Sequence, residues 1–339
     1  MIIISKNFSL KLEEILEDEL PAEIYNETEN YVLKTVRQWH SKQHFFYHQT
    51  SGSTGRPKKI KISRNKIEIS ARATMDHIDP KRELNNSVLC LDPRHIGGAM
   101  VIYRALIFNH HLRIVEPSSR PMTGLKSTET FDLVSMVPMQ FNNLTEEEIN
   151  RFKVILIGGA PMPIRKANFR SRVFSTFGMT ETVSHFALRK LDDDIYHTIG
   201  DSEVEVDAES CLKIKGSITD NKWLYTNDII ELISPHSFKW NGRKDFVINT
   251  GGVKVSPEVV EEKLKNKING DFIIGSLPDK TLGQKVILIC ENEPHKIDFA
   301  ELDKYSQPKE VYFNQVLART KSGKIDRPTS LKKLLENAR

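Results

Sequence analysis

The stretch YHQTSGSTGRPKK, Tyr47–Lys59, decides how the rest of this chain is read. It sets the hydroxyls of Thr50, Ser51, Ser53 and Thr54 around Gly52 and Gly55 and reaches a lysine at Lys58. Small residues let the backbone fold tightly around an anion, and successive amide N–H groups and hydroxyls then donate to phosphate oxygens. The spacing is not that of the nucleotide-binding P-loop, because Pro57 stands where that rule wants glycine and Lys59 where it wants Ser or Thr. Ser, Thr, Gly and Pro also build ordinary surface turns, so the stretch alone leaves both readings open.

The composition narrows the choice. In 339 residues, 39% hydrophobic and 28% charged side chains suit a folded globular protein of one large or two smaller domains. Basic residues exceed acidic ones by only four, spread along the chain, so no tract argues for nucleic acid. Cys90, Cys211 and Cys290 form no CxxC pair and adjoin apolar runs, which reads as buried thiols. The opening MIIISKNF is too short an apolar run for a leader or a membrane span, so a cytoplasmic protein without membrane association is expected.

Moving outward, Leu10–Leu20 and Tyr31–Trp39 read as amphipathic helices, and Phe45–His48 as a strand entering the glycine-rich turn. Ser87–Leu91 and Leu112–Val115 read as buried strands around an apolar helix, Met100–Phe108. Phe131–Val137 is a further apolar run, Thr145 and Glu148 form a capping box, and Val154–Ile157 stops at Gly158-Gly159. The alternation predicts an α/β fold: a large domain with a mainly parallel sheet covered by helices. From Ser202 the pattern turns to alternating strands. Past Gly242–Asp245 a strand at Phe246–Ile248, a helix from Pro257 capped by Ser256, strands at Phe272–Ile274 and Val286–Cys290, and a helix from Ser330 make a smaller α+β domain. The expected domains are 1–243 and 244–339.

Further motifs share the chain with the loop: FSTFGMTET at 174–182, YTND at 225–228, GRKD at 242–245, GGVKVSP at 251–257 and ARTKSGKIDR at 318–327. Thr180 and Glu181 sit beside a glycine, where a hydroxyl can meet a phosphate and a carboxylate can hold Mg²⁺; the pair also suits a helix start. Ionised Asp228 is acceptor-only and can take both ribose hydroxyls. Arg243 can grip ribose or phosphate oxygens, or pair on the surface with Asp245. Lys324 reads either as a catalytic cation or as a lysine on an exposed loop. His95 by itself reads as a satisfied core histidine. His40, His44 and His48 are four apart, but the strand reading of His48 breaks the helical face a metal site would need.

Taken in order, these motifs resemble the adenylate-forming superfamily of acyl-CoA ligases, adenylation domains and luciferases. The resemblance rests on TSGSTGxPK at Thr50–Lys58, PRHIGG at Pro93–Gly98, GGA at Gly158–Ala160, an aromatic-G-x-T-E motif at Phe177–Glu181, Asp228, GRxD at Gly242–Asp245 and Gly323-Lys324. It covers about residues 45–330. It implies ATP and Mg²⁺ as cofactors, with the Thr50–Lys58 loop on phosphates, Thr180 on the α-phosphate and Glu181 on the metal. It gives Gly158, Gly159, Ala160, Phe177 and Gly178 to the adenine side, and Asp228 and Arg243 to the ribose. Lys324 is implied as the catalytic cation, His95 as a residue beside the acid, and Asp245 as the hinge of a mobile C-terminal domain. Gly251 and Gly252 would line a pantetheine channel.

The implied reaction joins a small carboxylic acid to coenzyme A through an acyl adenylate; the resemblance leaves monomer or homodimer open. Asn227 stands where the family has glycine before Asp228, and only 49 residues precede Thr50 where the family has more than a hundred. Short ligases with a PRHIGG-like motif resemble the o-succinylbenzoate–CoA ligases of menaquinone synthesis, and Arg94 is the expected partner of a second substrate carboxylate. Other aryl- or small-acid ligases, an adenylation protein loading a carrier, and a catalytically silent binding homologue share these motifs.

Overall fold

A computed structural model describes residues 1–17, 25–49, 59–164, 168–320 and 325–337. Contacts gather the chain into two units. The first comprises Met1–Val204, Ile214–Leu224 and Ser234–Ser237; the second comprises Glu205–Lys213, Tyr225–Ile233 and Phe238–Arg339. The expected division after Arg243 differs from this grouping. Parts of the strand region before it pack with the C-terminal residues, a long-range association that a local change of texture does not reveal.

The first unit runs β1 (Ile2–Ile4), β2 (Ser9–Lys11), α1 (Leu12–Glu17), α2 (Glu27–His40), β3 (Phe45–Gln49), β4 (Lys59–Ser63), α3 (Arg64–Ile78), β5 (Asn86–Leu89), α4 (Ile96–Phe108) and β6 (His111–Ile114). It continues with β7 (Phe131–Met136), α5 (Pro138–Asn142), α6 (Glu146–Ile149), β8 (Phe152–Ile157), β9 (Arg172–Met179), β10 (Ser184–Lys190) and β11 (Ile195–Thr198). Its sheet order is β2-β1-β6-β5-β7-β8-β9-β10-β11. From β1 to β9 every neighbouring pair is parallel, whereas β2, β10 and β11 join antiparallel.

Parallel strands covered on both faces read as near-continuous apolar runs, and β7 is buried at every residue. Alternate side chains of β8 serve opposite layers. Val154 and Leu156 pack with Met75 and Ile78 of α3, while Ile155 and Ile157 pack with Phe141 of α5 and Ile149 of α6. The capping box forms as expected, with Thr145 Oγ1 accepting from Glu148 N (3.2 Å) and Glu148 Oε2 accepting from Thr145 N (2.8 Å). Helix α3 escapes a reading by periodicity because its buried face includes Ser70 and Thr74. Cys90, Cys211 and Cys290 are free and buried.

Four strands follow in the order β12 (Glu203–Val206), β13 (Cys211–Lys215), β14 (Leu224–Ser234) and β15 (Ser237–Arg243). The second unit then adds β16 (Ile248–Thr250), β17 (Val253–Val255), α7 (Pro257–Leu264), β18 (Phe272–Asp279), β19 (Gly283–Cys290), β20 (Glu310–Tyr312) and α8 (Arg327–Asn337). The strand expected at Phe246–Ile248 begins two residues later, after a 3₁₀ turn at Lys244–Phe246. Ser256 precedes α7 as expected, but its hydroxyl donates to Asn241 O (2.7 Å) instead of capping the helix. Among the described residues, no helix is long and apolar enough to cross a membrane.

Candidate active site

In the first unit, β3 and β4 pair antiparallel from Phe45↔Ser63 to Gln49↔Lys59. Thr50, Ser51, Gly52, Ser53, Thr54, Gly55 and Lys58 lie outside the described residues. The expected strand before them is present, and it pairs with β4 in a two-stranded antiparallel sheet of its own. His48 on β3 is buried and shares a hydrogen bond with Tyr103 Oη (3.1 Å). Burial lowers its pKa to about 4, so it is neutral near pH 7.

The PRHIGG segment shapes the start of α4. Gly98 is required there, since a Cβ would overlap the backbone of Asp92 and Pro93. His95 occupies the N-cap position, half-buried, with Nε2 3.9 Å from Asp92 Oδ2. Arg94 precedes it on the surface. Its guanidinium is half exposed and already engaged by Asp92 (Nε to Oδ1, 2.9 Å; Nη2 to Oδ2, 2.8 Å) and by Glu27 (3.2 Å). A solvated cation with two carboxylates has little charge left for a third.

A buried arginine that was not singled out from the sequence lies further along the same helix. Arg104, on α4, is 2% exposed. Its Nη2 donates to Ser135 Oγ (3.1 Å), while Nε and Nη1 find no partner among the described residues. Burial lowers its pKa to about 10, which still leaves it charged near pH 7. His185 nearby is neutral, its pKa pushed to about 3 by burial and by the charge of Arg104. An arginine in the middle of the apolar run AMVIYRALIF was the available signal, because buried arginines are rare unless paired.

At the end of β8, Gly158 donates its N–H to Met136 O (3.0 Å), and Gly159 has φ +88°. Ala160 follows, half-buried. Phe177, near the end of β9, stacks edge-on against Phe186 and Tyr196, with centroids 5.9 and 5.3 Å away. Gly178 lies where β9 and β10 approach so closely that a Cβ would overlap the backbone of Ser184 and His185. Thr180 and Glu181 then form a 3₁₀ turn instead of a helix start.

That turn is strained and braced. Val183 ends it at φ +52°, a conformation costly for a β-branched residue. Ser70 Oγ donates to Val183 O (2.7 Å), and buried Thr182 accepts from Met179 N (3.0 Å) and donates to Ser184 O (2.7 Å). The brace leaves the Glu181 side chain exposed. One exposed carboxylate on a fixed turn fits Mg²⁺, which keeps several waters and takes one or two protein carboxylates beside substrate phosphates.

In the second unit, Asp228 on β14 is 6% exposed. Its Oδ1 accepts from Trp240 Nε1 (3.0 Å), and its Oδ2 lies 3.8 Å from Arg243 Nη1. Burial raises its pKa, against the opposing pull of Arg243. Arg243 also pairs with Asp245 (2.7 Å), and Asn227 Nδ2 donates to the other oxygen of Asp245 (3.0 Å). The surface pairing of Arg243 with Asp245 that the sequence offered is therefore present. Gly251 and Gly252 form the two-residue turn between β16 and β17 with φ +57° and +80°, the left-handed values that tight hairpin turns demand. Lys324 lies outside the described residues. Its flanks are held, because Arg319 and Ile325 form an antiparallel bridge and Asp326 N donates to Ala318 O (2.8 Å).

The sequence model for AMP-binding enzymes matches residues 2–209. Among curated proteins, a 2-succinylbenzoate–CoA ligase of Staphylococcus epidermidis is 29% identical over 324 residues, covering 82% of this chain and 67% of its own length. One from Staphylococcus aureus is 26% identical over 323 residues, covering 82% and 65%. The chain therefore spans about two thirds of the length of these relatives. A solved acyl-CoA synthetase (AMP-forming)/AMP-acid ligase II-like protein from Dyadobacter fermentans shares 29% identity at a TM-score of 0.63, over 98% of this chain and 100% of the other. The o-succinylbenzoate coenzyme A synthetase of Bacillus subtilis, solved with ATP and magnesium ion, shares the fold at a TM-score of 0.71 and 20% identity, over 84% and 69%.

Proposed function

The chain belongs to the AMP-binding enzyme family, and on that premise we propose that it is an AMP-forming acid–CoA ligase whose acid is o-succinylbenzoate. The observation that carries the choice of acid is Arg104, charged, buried and short of hydrogen-bond acceptors among the described residues. Leaving such a cation unpaired costs several kcal/mol, roughly, which a substrate carboxylate arriving with two acceptor oxygens would offset. A dicarboxylic aromatic acid has one carboxylate to pair and another to activate; a fatty acid has only the latter. The names of the curated relatives support the same reading.

The chemistry proceeds in two displacements. A carboxylate oxygen of the acid attacks the α-phosphorus of ATP, the bond to pyrophosphate breaks, and an acyl adenylate forms. The coenzyme A sulfur, having given its proton to solvent or a base, then attacks the acyl carbon, and the bond to AMP breaks. The Thr50–Lys58 loop and Thr180 take phosphate oxygens, and Glu181 would hold Mg²⁺, which would supply shielding of charge on the phosphates. Gly158, Gly159, Ala160, Phe177 and Gly178 take the adenine, Asp228 and Arg243 the ribose, and His95 stands beside the acid. Lys324 stabilises charge building between two anions, an electrostatic role that loses its effect if the cation is removed. Gly251 and Gly252 give the pantetheine arm room. Asp245 changes its backbone angle between the two steps, so Asp245→Pro retains adenylation and loses thioester formation.

The deciding experiment is substrate competition with purified protein, following adenylate and thioester by mass. The kcat/KM for o-succinylbenzoate should exceed that for benzoate or any C8–C16 fatty acid by at least roughly tenfold, about 1.4 kcal/mol in transition-state binding. Arg104→Ala should close that gap and Arg94→Ala should leave it. A monocarboxylic acid winning the competition would overturn the choice of acid; absence of adenylate with every acid would overturn the ligase reading.

A further inference from the structure

Asp228 presents a problem that its own motif does not solve. A carboxylate turns readily about its terminal torsion, which has broad minima, so two oxygens meant for a ribose diol need something to fix their plane. Arg243 does not do it, since its nearest nitrogen stays 3.8 Å from Oδ2 while its other arm is drawn to Asp245 at 2.7 Å. Thr226 Oγ1 accepts from the Asp228 backbone N–H (3.1 Å) and donates to Leu212 O (3.0 Å), which fixes the main chain, and its hydroxyl is a lesser support of the ionised carboxylate than the indole. A well-formed hydrogen bond to that carboxylate comes from the indole N–H of Trp240, on the neighbouring strand β15.

We infer that Trp240 is a positioning residue for the nucleotide: its Nε1–H pins Oδ1 of Asp228, orienting the carboxylate for a ribose diol. The inference rests on the reading of Asp228 as the ribose acceptor. An ordinary buried tryptophan satisfies its single donor with any nearby oxygen, and a carbonyl would serve. Here the acceptor is a carboxylate 6% exposed, a costly partner if packing were the sole purpose. The indole N–H also favours the ionised form, opposing burial, the largest influence raising the Asp228 pKa. The other charges facing Asp228 are Arg243, which favours ionisation, and Asp245, which opposes it; Cys211 also lies within its field.

The test is AMP binding by titration calorimetry across pH 4.5–8 (a range of roughly the carboxylate and histidine region), with thermal midpoints recorded for every variant. Trp240→Phe keeps the ring and removes the donor. AMP affinity should fall about tenfold, as expected for one hydrogen bond to a charged acceptor, and the acid limb of binding should move to higher pH. Trp240→His places Nε2 of a five-membered ring where the indole Nε1 stands, and should restore most of the affinity. The inference is overturned alone if Asp228→Ala abolishes binding while Trp240→Phe matches the natural protein at every pH. It is overturned also if Phe and His weaken binding equally, since packing would then be the role. If Asp228→Ala binds AMP normally, the ribose reading itself falls and takes the inference with it.

Discussion

Arg104 in the first unit and Arg327 in the second are both arginines withdrawn from water, and their surroundings are opposite. Arg327 opens α8 with its side chain 12% exposed. Glu261 takes both of its terminal nitrogens (2.5 and 3.0 Å), Ile274 O accepts from Nη1, and Glu258 stands 3.8 Å away. Arg104 has one hydroxyl, Ser135 Oγ, and two nitrogens without a partner among the described residues. The difference teaches that burial of a charge does not by itself mark a functional group. A buried guanidinium with its carboxylates in place holds helices α7 and α8 to β18; one without them among the described residues is the one proposed here to take a substrate carboxylate.

The harshest way to break this comparison is Arg327→Ala. Removing it strands Glu261 and Glu258, so stability should fall by about 3–5 kcal/mol, read as a lower denaturant midpoint at unchanged slope. Preference among acids in the protein that remains folded should not change. A variant as stable as the natural protein would show that the network is dispensable.

Next in size is Lys324, the cation assigned to the reaction itself. Lys324→Ala should slow adenylate formation by about 3–4 kcal/mol, a few hundredfold, while thioester formation from supplied adenylate is largely kept. Equal loss in both half-reactions would put Lys324 beside Arg327 as a structural cation.

Arg104→Ala sharpens the contrast from the other side. We expect the kcat/KM for o-succinylbenzoate to drop by about 1.4–2 kcal/mol, roughly ten- to thirtyfold, with benzoate little affected. Thermal stability should hold or rise, because an uncompensated buried charge has been removed. Loss of stability without loss of discrimination would reverse the roles given to the two arginines.

The smallest effect belongs to Asp228, a buried charge only partly satisfied. Burial raises its folded-state pKa above the ordinary 3.8. Between the unfolded and folded values the folded state binds more protons, so stability declines as pH rises through that window and stays lower above it. Asp228→Asn should therefore gain a little stability at neutral pH, a gain that vanishes below the ordinary carboxyl range, while weakening AMP binding. Measuring both in one pH series decides it.

What the sequence by itself determined are features set within a few residues. Thr145 and Glu148 cap a helix because an N-cap hydroxyl and a carboxylate three residues on satisfy each other wherever a helix starts. Gly251-Gly252 makes a hairpin turn because left-handed φ is cheap only for glycine, and β7 and β8 run apolar because both their faces are covered. The motifs themselves were visible for the same reason: their spacing is local. Tertiary structure alone decided the partners. That Glu27 reaches Arg94 across the fold, while among the described residues no carboxylate reaches Arg104, is not written in either local sequence. That Arg327 finds Glu261 66 residues away, and that Trp240 rather than Arg243 holds Asp228, follows from strand and helix neighbours. Electrostatic satisfaction is a property of what surrounds a group in space, and no window of sequence contains it.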